Sequence, residues 1–368
     1  MLSIIIVNYK STALVLDCLH SLYGEAGSEG PGNRSSDRRG SGIGGEGEYP
    51  FEVLVVDNAS GDNGQQRITA AFPQIIWISV NYNAGFARAN NEGIRRSAGD
   101  AVLLLNGDTL PHASAIAEAY HRLMDSPFVA AGVQLLNPDG TPQISGMYVM
   151  KGGLNYLLPL PYLGTLIKKA GQLAKVEKPH VAGVGESGGA LSGGAGTAIP
   201  PSPIEVDWIN GAFLMVKKAA IQTAGLLDED FFLYAEEAEW CSRLKKTGPL
   251  CLFGDLNMVH LQGETANQEF GSTGKGYYNL YDRKGLQIML SNFVRIRKQF
   301  GVGWFLVQLF FYLIGIPIFL SGVICSRLFS RTPRYNFSQF FRYSKNVAVI
   351  VRLSPVIIRN KPYFYKVL

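Results

Sequence analysis

Ala101 to Thr109 reads AVLLLNGDT, an apolar run that stops at Asn106-Gly107-Asp108. A continuous apolar run closed by Asn-Gly is the pattern of a buried central strand meeting a loop. It leaves Asp108 beyond the strand's carboxyl end, where ligands bind in open α/β sheets. Taken alone, Asn-Gly-Asp is also an ordinary tight turn. Two earlier strand candidates end in polar residues too, at Asn8 and Asp57, and that repetition is hard to explain as packing. Farther along, Glu236, Glu237 and Glu239 follow the aromatic run Phe231, Phe232, Tyr234. Carboxylates clustered beside an apolar wall are candidates for raised pKa and general-base work. The same segment carries Arg243, Lys245 and Lys246 before Gly248-Pro249, a distribution that complements a helix dipole without any chemistry. His260 stands in VHLQGET, and a lone histidine is more often structural than a ligand.

These residues need a scaffold, and the chain alternates short apolar runs with helical patterns. Strands are expected at Leu2–Asn8, Phe51–Asp57, Ile75–Val80, Ala101–Leu105 and Phe128–Leu136. Helices are expected at Ala13–Leu22, at Phe86–Ala98 with Gly99 as its cap, and at Ala113–Met124. This order implies an α/β fold with a doubly wound, mostly parallel sheet flanked by helices. The turn after the first strand is Tyr9-Lys10-Ser11-Thr12, not a glycine loop, which argues against a dinucleotide-binding unit and a P-loop. Beyond Glu205 the sequence predicts one long strand and a helix from Ala219. A helix from Glu236 and a short strand Leu250–Phe253 come next, leaving His260 beyond that strand. Residues 24–49 and 167–203 read as disordered insertions, poor in apolar residues or rich in glycine. The apolar Leu154–Leu166, broken by Pro159 and Pro161, is a candidate contact with a partner or a bilayer.

The 368 residues suffice for one large domain with appendages, or for two domains. The formal charge is +5, yet Asp282 is the last acidic residue, and the tail after it carries only Lys and Arg. An acid-free, aromatic-rich basic tail suits an anionic membrane surface or nucleic acid. The uncharged stretch Gly301–Ser326 inside it favours the membrane and disfavours nucleic acid: it is long enough for a span of roughly 20 residues. Pro317 and flanking basic residues leave a kinked span, a re-entrant hairpin or an in-plane helix open, with an amphipathic helix Tyr277–Phe300 leading in. Two regions result, 1–275 and 276–368. The cysteines, Cys18, Cys241, Cys251 and Cys325, show no C-x-x-C spacing, which fits a reducing compartment. Met1 leads straight into an apolar strand rather than a secretory signal.

In order, SIIIVNYKS at Ser3–Ser11, VVDNASGD at Val55–Asp62, NAGFARANNEGI at Asn81–Ile94, LLLNGDT at Leu103–Thr109, and WINGAFLMVKK with DEDFFLYAEEAEWCSRLKKTG resemble a family 2 glycosyltransferase of GT-A fold, most like bacterial rhamnosyltransferase-type enzymes. The resemblance implies inverting transfer of a sugar, rhamnose as best guess, from a dTDP- or UDP-linked donor to a hydroxyl of a lipid-linked or polysaccharide acceptor. The setting implied is surface-glycan synthesis at the cytoplasmic face of the plasma membrane. It assigns Asn8, Tyr9, Asp57, Asn83, Gly85, Arg88, Asn90 and Asn106 to the nucleotide sugar, and Trp208, Asn210 and Gly211 to the acceptor. Asp108 and His260 would hold Mg²⁺ or Mn²⁺. Glu237 would be the base, with Glu236 second. Two departures stand out. Gly107 replaces a proline common in such relatives and is expected to loosen the turn. Glu237 stands where the family usually has aspartate. A non-catalytic nucleotide-sugar-binding protein is the alternative these departures motivate. A nucleotidyltransferase is disfavoured by the absence of a glycine-rich, Lys/Arg-containing phosphate loop.

Overall fold

The computed structural model describes residues 1–24, 50–173, 203–261, 267, 269–272, 279–329 and 334–367. The insertions expected at 24–49 and 167–203 therefore lie largely outside the described residues. Where they are described, Gly24 closes the first helix in a left-handed conformation, and residues from 167 continue the helix Leu163–Leu173. The chain divides into two compact units. One comprises Met1–Met147, Val181–Leu227 and Trp240–Gly263; the other comprises Tyr148–His180, Asp228–Glu239 and Glu264–Leu368.

The first unit is built on strands β1 (Leu2–Asn8), β2 (Phe51–Asn58), β3 (Ile76–Val80), β4 (Ala101–Asn106), β5 (Thr109–Leu110) and β6 (Ala130–Leu136), then β7 (Gly146–Met147), β8 (Ile204–Val206), β9 (Trp208–Ile209), β10 (Phe213–Lys217) and β11 (Leu250–His260). Among the described residues nine of them form one sheet, in the order β3-β2-β1-β4-β10-β6-β11-β5, with β8 on β11. β3, β2, β1 and β4 run parallel, joined by crossover helices Thr12–Tyr23, Gly64–Ala71 and Gly85–Arg96. Ile4, Ile5 and Ile6 are all fully buried, so β1 is covered on both faces and reads as continuous apolar sequence rather than as an alternation. Each such side chain contributes about 1.5–3 kcal/mol of burial.

Three expectations need correction. The helix before β4 ends at Arg96, not at a Gly99 cap: Ser97 turns extended, and its hydroxyl donates to the Ile94 carbonyl at 2.8 Å. The single long strand after Glu205 is three short ones, because Asn210 Oδ1 accepts the Ala212 N–H at 3.0 Å and makes a side-chain-closed turn. Most consequentially, His260 does not lie beyond a strand ending at Phe253. β11 resumes after a register break between Phe253 and Asn257 and ends at His260 itself. Asp255, inside the break, leaves the ladder and pairs with Arg122 at 2.6 Å.

In the second unit, the helix expected from Tyr277 begins at Arg283, where the Asp282 carboxylate accepts the Gly285 N–H at 2.8 Å; residues 273–278 lie outside the described ones. Helices Arg283–Phe300, Val302–Phe329 and Phe337–Arg359 share a core with residues of Leu157–Leu163. Its centre is aromatic, with Phe293 edge-on to Phe305 at 5.4 Å and to Tyr312 at 5.0 Å. Pairs in this geometry add about 0.5–1.5 kcal/mol beyond their area.

Candidate functional site

β1, β2 and β4 are adjacent and parallel, so their carboxyl ends share one edge of the sheet, and the polar residues seen at the three strand ends become neighbours. Asn8 is fully buried; its amide donates to Asp57 Oδ1 at 3.0 Å and contacts Thr12 Oγ1 and Ser60 Oγ, each at 3.2 Å. Asn8 therefore orients Asp57, which is half-buried. Tyr9 is half-buried beside it, with the Lys10 ammonium 5.0 Å from its ring centre. Thr12 and Ser60 were not anticipated; Ser60, three residues past Asp57 in the same loop, was the available signal.

Asn83 and Gly85 meet at the start of the third crossover helix. Asn83 Oδ1 accepts the Gly85 N–H at 3.1 Å, and Asn58 Oδ1 accepts the Ala84 N–H at 2.7 Å. Gly85 has φ +75°, a conformation that glycine alone adopts without strain. Asn58 is the unanticipated member: it faces this turn from the end of β2. Asn90 is buried, and its amide bonds the Phe86 carbonyl of its own helix at 2.9 Å. Arg88 is half-buried and reaches Tyr82 Oη at 3.5 Å.

Gly107 follows directly on the end of β4. A Cβ on Gly107 would come within 2.7 Å of Val15 Cγ2, so the residue is small because the first crossover helix packs against it. His260 pairs with Thr109 across β11 and β5, and the Leu261 N–H donates to the Asp108 carbonyl at 2.8 Å. This pairing brings His260 Nε2 to 3.4 Å from Asp108 Oδ1 and 3.5 Å from Asn106 Nδ2. On its other side, His260 Nδ1 is 2.9 Å from Gln143 Oε1. Gln143 was missed; the signal was the turn sequence Asn137-Pro138-Asp139-Gly140, which returns the chain beside β6.

Among the described residues no group of three or more His, Cys, Asp or Glu side chains is placed to hold a metal. The Asp108–His260 pair nevertheless suits part of a cation site. Neighbouring ligands on an octahedral cation, each about 2.1 Å from it, lie about 3 Å apart, and a carboxylate oxygen faces an imidazole nitrogen here at a comparable separation. Further ligands would have to come from a substrate and water.

Trp208 is buried in β9, which pairs with β7. Asn210 and Gly211 form the turn after it, with Asn210 Nδ2 donating to the Ile144 carbonyl at 3.0 Å.

The second unit holds Glu236 and Glu237, which open the helix Glu236–Leu244. Tyr234 and Ala235 immediately before them have φ of 71° and 66°. Two successive non-glycine residues in the left-handed region cost about 1–2 kcal/mol each, and such strain collects at functional positions. Glu236 is buried, its Oε2 has no hydrogen-bond partner among the described residues, and burial with the neighbouring Glu237 charge drives its pKa well above the usual carboxylate range. Glu237 is partly exposed. The Arg295 guanidinium bonds Tyr156 Oη and is itself buried; burial raises the Tyr156 pKa, Arg295 opposes that rise, and the Glu237 charge adds to it.

The family described as Glycosyl transferase family 2 matches residues 3–170. A low-salt glycan biosynthesis hexosyltransferase, Agl10, of Haloferax volcanii is 28% identical over 249 residues, covering 67% of this chain and 62% of the relative. An N-acetylglucosaminyl-diphospho-decaprenol L-rhamnosyltransferase of Mycobacterium tuberculosis is 24% identical over 221 residues, covering 56% of this chain and 64% of the relative. The chain thus spans somewhat under two thirds of the length of these curated relatives. Among solved structures, a mannosyltransferase from Pyrobaculum calidifontis, in complex with GDP-Man and Mn2+, aligns with a TM-score of 0.47 at 14% identity, covering 96% of this chain and 87% of that one.

Proposed function

We propose that this chain, whose residues 3–170 match the Glycosyl transferase family 2 model, is an inverting glycosyltransferase of GT-A fold that moves a sugar from a nucleoside diphosphate to an acceptor hydroxyl. The observation that carries this reading is the Asp108–His260 pair at the carboxyl end of β4, on the same sheet edge as Asp57. Asp57, held by Asn8, would accept the imide N–H of uracil or thymine. Asn83, Gly85 and Arg88 would line the donor, and Asn90 would support that helix from within. Asp108 and His260 would hold Mg²⁺ or Mn²⁺ together with the donor diphosphate. A cation so held would act as a Lewis acid on the leaving group.

Glu237 is the proposed base. It takes the acceptor hydroxyl proton as that oxygen bonds the anomeric carbon, while the bond from that carbon to the diphosphate breaks and its electron pair leaves on the phosphate oxygen. Glu236, buried and favouring its neutral form, keeps a second full charge away from Glu237. Trp208, Asn210 and Gly211 are assigned to the acceptor side. The names of the curated relatives support a glycan or diphospho-lipid acceptor and make rhamnose the first donor sugar to test.

Membrane association belongs to the same reading. Val302–Phe329 is the one helix among the described residues long and apolar enough to cross a bilayer by length and composition. It buries a stripe from Phe305 to Val323, and Phe293 and Tyr281 of the preceding segment lie against that stripe. The helix Arg283–Phe300 alongside carries buried Lys284, Gln287, Ser291 and Arg295. A spanning orientation would draw these groups toward hydrocarbon at several kcal/mol each. An in-plane orientation avoids that cost, with Leu306, Phe310, Leu313 and Ile314 facing the acyl chains and Arg342, Lys345 and Arg352 meeting anionic headgroups. Free thiols at all four cysteines fit the cytoplasmic face.

The test is a donor-hydrolysis and transfer screen of nucleotide sugars, dTDP-rhamnose first, with Mg²⁺ or Mn²⁺. Turnover abolished by chelator is the expected result; donor binding without turnover on any acceptor would leave a nucleotide-sugar-binding protein instead.

A further inference from the structure

Gln143 has no role in the function just proposed, yet its hydrogen bonds define the state of His260. Its Nε2 lies 2.6 Å from the His260 carbonyl oxygen, 2.9 Å from Asn137 Oδ1 and 3.2 Å from the Leu136 carbonyl. Asn137 donates its own amide to Thr141 Oγ1 at 2.8 Å, so its Oδ1 is free to accept. All three partners of Gln143 Nε2 are oxygen acceptors. A flipped amide would set oxygen against two backbone carbonyls, so the orientation of the group is determined. Gln143 Oε1 then faces His260 Nδ1 at 2.9 Å. An amide oxygen only accepts, so the hydrogen sits on Nδ1, and neutral His260 carries its lone pair on Nε2.

The unprotonated Nε2 lies 3.4 Å from Asp108 Oδ1. In neutral His260 these two electron-rich atoms repel unless a proton or a metal cation stands between them, and the nearby Asn106 amide at 3.5 Å is a long and weak donor. In the opposite tautomer, or in the imidazolium, Nε2–H would donate to Asp108 and compete with a metal cation for the same position.

We propose that Gln143 is a positioning residue that holds His260 in the Nδ1–H tautomer, so that Nε2 and Asp108 together are offered to a divalent cation. The proposal rests on the cation reading given above. Partners of this kind raise ligand basicity and fix ring orientation, and losing one typically lowers metal affinity 10–100-fold.

The experiment uses the full chain with ¹⁵N-labelled histidine, free of metal, at a pH above the ordinary imidazole range. Wild type should show a protonated Nδ1 and an unprotonated Nε2 at His260. Gln143→Leu removes the acceptor and should move the population to Nε2–H, with Mn²⁺ affinity by electron paramagnetic resonance falling about tenfold or more. Gln143→Glu loses the Nε2 donor but keeps an acceptor at Nδ1; it should retain the tautomer and most of the Mn²⁺ affinity even if its melting temperature drops. A purely structural Gln143 would destabilise both variants without moving the tautomer, which would overturn the proposal, as would an Nε2–H signal in wild type. Should Gln143→Leu fail to fold, the wild-type tautomer and the Gln143→Glu spectrum still decide the matter. If the tautomers behave as expected while wild type binds no Mn²⁺, the cation reading fails and the tautomer assignment stands.

Discussion

His260 Nε2 faces Asp108 Oδ1 at 3.4 Å because the end of β11 pairs with β5, the two-residue strand directly after Asp108. The contact depends on the register of β11 beyond its break. Asp108→Asn should lower Mn²⁺ affinity at least tenfold and turnover about 100-fold, with the fold intact by circular dichroism. Combining it with His260→Leu should add little, since both residues would serve one cation. Fully additive losses in the double variant would count against a shared site.

Glu237→Gln should reduce turnover about 100-fold or more, the usual scale for losing a general base, while donor affinity by calorimetry changes less than threefold. Retained turnover would remove Glu237 from the mechanism and leave Glu236 as the candidate.

Glu236 makes a separate pH prediction. Its folded pKa is raised by burial and by Glu237, so the folded state binds more protons than the unfolded one. The stability this group contributes is fully present below the ordinary glutamate range and is lost as pH rises through the raised value. Thermal melts across that window should show wild type falling relative to Glu236→Gln; parallel curves would mean that the carboxyl is not desolvated as described.

Asn8→Ala removes the donor that orients Asp57 and leaves buried acceptors at Thr12 and Ser60 underused. A stability loss of about 1–3 kcal/mol is expected, together with weaker nucleotide binding. Asp57→Asn should weaken uridine or thymidine nucleotide binding with a much smaller effect on stability. Chemical denaturation paired with nucleotide titration separates the two roles.

If the helix Val302–Phe329 lies in the membrane plane as proposed, Phe310→Glu with Leu313→Glu should abolish flotation with vesicles containing anionic lipid. Reversing Arg342 and Lys345 should weaken flotation and remove its salt dependence. Equal flotation of all variants would exclude this face as the membrane contact.

The sequence by itself determined the alternation that builds the sheet, the acid-free tail, and the polar residues closing β1, β2 and β4. Each is a local pattern: an apolar run, its terminating residue, or a charge count. It could not assign depth. Asn8 and Asp57 both end strands, yet Asn8 is buried and orients while Asp57 is half-buried, a difference set by the neighbouring strand and the Ser60 loop. Nor could it explain Gly107, whose size is dictated by Val15 from another element. The Asp108–His260–Gln143 alignment was the least legible. It requires β11 to break register at Phe253 and resume at Asn257, and it requires the Asn137–Thr141 turn to return Gln143 beside β6. Those are long-range pairings with no sequence periodicity, and only the tertiary structure decides them.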